Sequence, residues 1–326
     1  MLILALIKKG DTMGLIVVVV LGAVLGFLYG MNTDGFIFSS KICLFAGITL
    51  IMPSLFNFEL SHIKLVWIHR LVLLKGLAVN YILLPAIAVG IGLMTGDFGI
   101  TAGLFMLATL SGGGMVMHWI KKSKADTSFG FLLLFINLLL VTLSLYMLDV
   151  FGSNAAAYFD TEYDNSVGIG RFAGGVLMLL IIIPFFASRV VRFMPPLVNV
   201  IHTYRKYISH TSIFLILFYL FGLQNTQLLT EVWDFDIELF PIAFAAVLAF
   251  YALTFVVAKF VYKHNSPQER AAYWHTITRY LTLALVIATF TLSSFGVSML
   301  LPIMFAYLVQ IPLSVYISRK VDGDIT

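Results

Sequence analysis

The chain has 326 residues, of which 60% are hydrophobic and 11% charged, with 20 Lys and Arg against 16 Asp and Glu for a net charge of +4. A mean hydropathy of +1.00 does not fit a soluble balance of core and surface, so composition points to an integral membrane protein with little room for a soluble domain. The basic excess is what cytoplasmic loops of a polytopic protein carry rather than a nucleic-acid footprint, and Cys43, the single cysteine, leaves neither an intrachain disulfide nor a thiolate metal centre.

A membrane-crossing helix needs roughly 20 apolar residues. The sequence predicts ten such spans, beginning with Met13 to Tyr29, Phe36 to Leu55, His69 to Met94, Gly99 to Trp119 and Thr127 to Val150. The other five are Gly168 to Phe186, Ser209 to Leu229, Ile237 to Val261, Ala271 to Phe290 and Gly296 to Ile317. The apolar run Met1 to Ile7 is too short for a signal peptide.

Loop charges test this count, because short cytoplasmic loops gather Lys and Arg. Lys8 and Lys9 precede the first span, Lys64 follows the second, and Lys121, Lys122 and Lys124 follow the fourth. Arg189, Arg192, Arg205 and Lys206 lie between the sixth and seventh, Lys263 and Arg270 between the eighth and ninth, and Arg319 and Lys320 after the tenth. The opposite connections carry Asp34, Asp97, the run Asp160, Glu162, Asp164, and the run Glu231, Asp234, Asp236, Glu238. The alternation predicts both termini in the cytoplasm.

Ten spans divide into two sets of five, and an odd number per half inserts the second half inverted relative to the first. The expected organisation is one transporter unit over 1–326, with a first repeat at 13–150 and a second at 168–318. Such repeats place a site at the bilayer midplane, where corresponding helices of the two halves are broken. Ser111, Gly112, Gly113 and Gly114 interrupt the fourth span; Trp274, His275, Thr276, Thr278, Arg279 and Thr282 interrupt the ninth. A glycine triplet also serves close helix packing, but here both irregular spans are the fourth of their half, which points to a paired site.

Gly112-Gly113-Gly114-Met115-Val116-Met117-His118-Trp119, followed by Asp126 and Asn137, resembles the fourth-to-fifth-span motif of the superfamily that unites bile acid:sodium symporters and arsenite permeases. Ile51-Met52-Pro53, Asn80-Tyr81 with Pro85, and Leu308-Val309-Gln310-Ile311-Pro312 are further similar segments, the last with Gln where the family typically has Glu. The resemblance covers roughly Leu15 to Arg319. It implies an all-α fold of ten transmembrane helices in a 5+5 inverted repeat, with broken helices 4 and 9 crossing in a core domain beside a panel domain. It also implies secondary transport by alternating access. Neither a cofactor nor a resident metal is expected.

The specificity positions depart from both branches. In one register the arsenite-permease Cys falls at Gly112 and the partner Glu of the ninth span at Thr282. The sodium branch holds its cations through oxygen ligands, as a hard cation requires. Its Ser-Asn pair aligns with Val116 and Met117, and its Glu and Gln with His275 and Arg279. These departures speak against sodium at the usual sites.

Arg279 is the sharpest departure, because a mid-bilayer arginine costs about 2.5 to 3.5 kcal/mol on insertion scales and no carboxylate in its span stands ready to pair with it. Two readings stay open. Its guanidinium stands where a sodium ion would, donating to carbonyls at the broken ends, or it grips an anionic substrate through its planar fork. His118 and His275 flank the breaks as candidates for a coupling proton. Asp126 reads as a helix cap, and Lys41 and Lys75 as side chains snorkelling to an interface. Trp67, Trp119, Trp233 and Trp274 read as an aromatic belt.

The candidate substrate or ion residues are therefore Gly112, Gly113, Gly114, Met115, His118, His275, Thr278, Arg279 and Thr282, supported by Asn80, Asp126, Asn137 and Gln310. No P-loop or hydrolase motif is present. The expected function is secondary transport of a small organic or inorganic anion across the plasma (inner) membrane, with no nucleic-acid partner and the oligomeric state open. The alternatives are metalloid efflux, sodium-coupled organic-anion symport, and a non-transporting sensor or scaffold.

Overall fold

The computed structural model describes residues 11–37, 39, 41–52, 56, 64–113, 115–164, 174–175, 177–223, 238–263 and 266–323, and among these every regular element is a helix. In chain order the principal ones are α1 (Asp11–Met31), α2 (Lys41–Ala46), α3 (Arg70–Thr95), α4 (Phe98–Thr109), α5 (Val116–Lys122), α6 (Thr127–Leu139) and α7 (Val141–Ala155). There follow α8 (Ile183–Arg192), α9 (Pro195–Phe221), α10 (Leu239–Val261), α11 (Pro267–Ile277), α12 (Leu281–Phe295) and α13 (Leu300–Gly323).

Among the described residues, three helices are long and apolar enough to cross a membrane, namely α3, α10 and Val297–Ser318; the pair α6 and α7, bent by 43° at its junction, makes a fourth. Shorter apolar helices occur at Val17–Met31, Phe98–Thr109, Lys206–Phe221 and Leu281–Phe295.

Local sequence explains several helix starts. Asp97 caps α4 by accepting from Ile100 N at 2.7 Å, and Asp126 caps α6 by accepting from Phe129 N at 3.0 Å, so the cap expected of Asp126 is present. Pro267 occupies the first turn of α11, where its missing N–H costs nothing. Inside α3, Pro85 has no N–H to offer the Tyr81 carbonyl, and the helix widens there into a π turn at Val79–Leu83.

The chain forms two compact units, each drawn from both halves of the sequence. One comprises Met1–Phe56 and Met178–Asp236, the other Asn57–Leu177 and Ile237–Thr326. In the first unit α1 lies along α9, and Gly22 leaves room for the Phe214 carbonyl, which a Cβ would meet at 3.0 Å. Tyr29 stacks on Phe36 with ring centroids 4.8 Å apart, and Phe36 N donates to Gly222 O at 2.8 Å.

The second unit holds both interrupted helices. All twelve residues of α4 are buried, which explains why this helix is apolar on every side. Its close neighbour is the segment leading into α13: a Cβ on Gly103 would meet Met299 O at 2.6 Å.

Two expectations change. Arg205 and Lys206 do not lie in a loop, because the two prolines at 195 and 196 start α9 well before the apolar segment and the polar residues continue it. Arg189 and Arg192 likewise fall in the last turn of α8. Lys8, Lys9, Pro53, Gly114, Trp233 and the run Glu231, Asp234, Asp236 lie outside the described residues, as do the expected span ends Leu55, Gly168, Leu229 and Ile237.

Candidate functional site

Both interruptions occur where glycine and polar residues break an apolar run. The chain leaves α4 after Thr109 and re-enters a helix at Val116; it leaves α11 after Ile277 and resumes at Leu281. Gly112 and Gly113 take φ of 82° and 124°, backbone that side chains rarely tolerate. The two breaks meet as a minimal antiparallel pair centred on Ser111 and Arg279. Gly112 N donates to Thr278 O at 2.8 Å and to His275 O at 3.1 Å, while Tyr280 N donates to Leu110 O at 3.0 Å.

This exchange determines what Arg279 does. In an unbroken helix Gly112 N would serve the carbonyl of Ala108, and Tyr280 N that of Thr276. Each donor has gone to the other segment, so two carbonyls at negative helix C-termini lose their ordinary partners. The Arg279 guanidinium takes both: Nη1 donates to Ala108 O at 3.0 Å and Nη2 to Thr276 O. Nη1 also donates to Asn80 Oδ1 at 2.9 Å, from the π turn of α3. Arg279 is 2% exposed, and all three acceptors are neutral.

Gln310 of α13 binds the backbone of the same residue. Its Oε1 accepts from Arg279 N and its Nε2 donates to Arg279 O at 3.2 Å, while Tyr251 OH donates to Oε1 at 2.8 Å.

His275 is equally enclosed. Its Nε2 faces Gly130 O at 3.0 Å, an atom that only accepts, so Nε2 carries the proton and Nδ1 is left to accept from Asn137 Nδ2 at 3.2 Å. A Cβ on Gly112 would come within 2.7 Å of Nδ1.

The remaining candidates divide. Thr278 closes α11, its hydroxyl donating to Trp274 O. Thr282 is half-buried and accepts from Tyr307 OH at 3.3 Å. Asp126 also accepts from Gln268 Nε2 at 2.8 Å, tying the start of α6 to that of α11. Met115 is half-buried, and His118 is exposed on α5 with its ring edge-on to Trp119 at 5.0 Å. Gly114 lies outside the described residues.

Two readings are corrected. Trp119 and Trp274 are 1% exposed and stack on each other at 5.6 Å, with Trp274 Nε1 donating to Ser123 Oγ at 2.9 Å; they pack the site instead of belting the membrane. Lys75 does not simply reach for an interface but pairs with Glu269 Oε1 at 2.9 Å, and Glu269 Oε2 accepts from Lys263 N. Sequence reasoning missed Ala108, Tyr251, Ser123 and Glu269. Ala108 acts through a backbone oxygen that every residue possesses. Glu269 had a visible signal, a carboxylate beside the ninth span.

The sequence profile described as Sodium Bile acid symporter family matches residues 42–231, more than half of the chain and inclusive of the first interruption. No curated protein matches the chain.

Proposed function

The chain therefore belongs to the sodium bile acid symporter family, whose members are membrane transporters and not enzymes, and we propose that it carries a small organic or inorganic anion by alternating access without sodium at the crossing. The observation that carries this reading is the Arg279 guanidinium on the carbonyls of Ala108 and Thr276. A bound cation would serve those carbonyls in the same way. Arg279 is a permanent charge that stays with the protein, so no sodium ion is needed to hold the two breaks together, and its charge repels one. Of the two roles considered for this residue, the resident cation is the one its hydrogen bonds favour.

The proposed transporter has ten membrane spans in two inverted repeats, at 13–150 and 168–318. It sits in the plasma membrane with both termini in the cytoplasm. A positively charged crossing supports an anionic cargo over a cationic one, and the interruption of both helices supports a midplane site.

Uptake of radiolabelled small anions into proteoliposomes tests the reading, with sodium replaced by choline. Uptake should be unchanged by that replacement and lost in Arg279→Gln; if added sodium restores uptake in the variant, the guanidinium is the substitute for the ion. Strict dependence of the wild type on sodium would overturn the proposal. A pH gradient in the same vesicles tests coupling to a proton at His118 or His275.

A further inference from the structure

Arg279 carries a charge that its partners do not neutralise. Its hydrogen-bond acceptors are an amide and two peptide carbonyls, and its electrostatic neighbours include the phenols of Tyr81, Tyr251 and Tyr262 and the imidazole of His275. Among the described residues Lys75 pairs with Glu269, whose carboxylate is thereby held by Lys75 and Lys263 N. A buried charge without a counter-charge is strongly disfavoured.

Two polar atoms at the crossing are buried and make no hydrogen bond, Arg279 Nε and Ser111 Oγ. Their placement is not independent. The bonds Gly112 N to Thr278 O and Tyr280 N to Leu110 O flank Ser111 and Arg279, which makes these two a non-hydrogen-bonded antiparallel pair. Residues so paired lie directly opposite, with side chains on one face and Cβ atoms about 4.5–5.5 Å apart. An N–H of a cation and a hydroxyl thus share one side of the bridge, and both are free to donate.

We propose that the Ser111 and Arg279 pair binds one small anion, a halide or the carboxylate of a small acid, which accepts from Ser111 Oγ and Arg279 Nε and supplies the counter-charge at the crossing. A metal cation is excluded there by the guanidinium, and burial of both side chains restricts the ligand to a few atoms. The proposal rests on Arg279 as the resident cation and names the class of ligand that accompanies it.

The test is thermal unfolding of the purified full-length protein in detergent at constant ionic strength, with chloride, bromide, formate or acetate replacing gluconate, which is too bulky for a buried site. Ligand that binds the folded state raises the midpoint with concentration. The midpoint should climb saturably in the wild type. At least tenfold more anion should be needed for the same shift in Ser111→Ala, with the response retained in Ser111→Thr, which keeps the hydroxyl. Action by halides alone assigns a halide and action by formate and acetate a carboxylate. A midpoint indifferent to all four anions, or an equal shift in Ser111→Ala, overturns the site. If Ser111→Ala does not fold, loss of the shift in Ser111→Cys takes its place, and an undiminished shift there counts against the site. Sodium-independent uptake with no anion-dependent midpoint would sink this site and leave the transport reading standing; an anion-dependent midpoint with sodium-dependent uptake would do the reverse.

Discussion

Gln310 and Arg279 are joined through the Arg279 backbone: the Gln310 side-chain amide accepts from the Arg279 N–H and donates to its C=O at 3.2 Å, as a neighbouring β-strand would. The outward edge of the short pair at Ser111 and Arg279 is thereby closed by one side chain, itself anchored by Tyr251. Every polar backbone atom of Arg279 is satisfied while its guanidinium is left to the helix ends.

Replacing that amide separates its two roles. Gln310→Leu leaves two buried donors, Arg279 N and Tyr251 OH, unmatched at about 1–3 kcal/mol each, while Arg279 O keeps Leu281 N at 3.0 Å. Gln310→Glu keeps the acceptor for Arg279 N and Tyr251 OH, loses the donor to Arg279 O and brings a carboxylate to the crossing as a counter-charge for Arg279. Thermal unfolding in detergent should therefore rank both wild type and Gln310→Glu above Gln310→Leu.

Gly112→Ala should damage the crossing in two ways. A φ of 82° costs a non-glycine residue about 1–2 kcal/mol, and the new Cβ meets His275 Nδ1 at 2.7 Å. Adding His275→Ala removes the collision but not the backbone strain. A double-mutant cycle on the unfolding midpoint should thus show a favourable coupling, with the double variant still less stable than His275→Ala alone.

The Lys75 and Glu269 pair should respond asymmetrically. The Lys75 side chain is 43% exposed and that of Glu269 11%, so Lys75→Ala loses a partly solvated pair and should cost no more than about 1 kcal/mol. Glu269→Ala also strips Lys263 N of its acceptor and should cost more, by about the penalty of an unmatched donor, 1–3 kcal/mol. Equal effects in denaturation experiments would show that the bond to Lys263 N contributes nothing.

Tyr163, in the connection after α7, donates to Asp149 Oδ1 at 2.7 Å. Burial first, then the hydrogen bond to Asp149 and the charges of Asp149 and Asp164, push its hydroxyl above the ordinary tyrosine range. The folded value lies above the unfolded one, so this stabilisation is complete below about pH 10 and is lost as pH rises through the folded value. Tyr163→Phe should be less stable than wild type at pH 8 and lose less stability between pH 9 and 11 in alkaline unfolding.

Much of this arrangement is legible in the linear chain because its causes are local. Glycines at 112 and 113 and the polar run ending in Arg279 interrupt apolar segments in any surroundings, and the cap at Asp126 follows from its position ahead of an apolar helix. The start of α9 was less legible, because an exposed helical turn carries no apolar signature and only Pro195 and Pro196 mark it. The tryptophans misled for a related reason: an aromatic ring near the end of an apolar run fits a lipid headgroup region as well as the stack that Trp119 and Trp274 form.

Hydropathy, glycine and charge act where they occur along the chain, so the linear sequence already places the protein in a membrane, locates the breaks in its two helices and sets an arginine without a carboxylate in one of them. What that arginine touches depends on tertiary packing alone. Ala108 O and Thr276 O become available because Gly112 N and Tyr280 N are given to the opposite segment. That exchange exists only once residues some 170 positions apart have met, and a backbone carbonyl left without its helical donor has no signature in the identity of its residue.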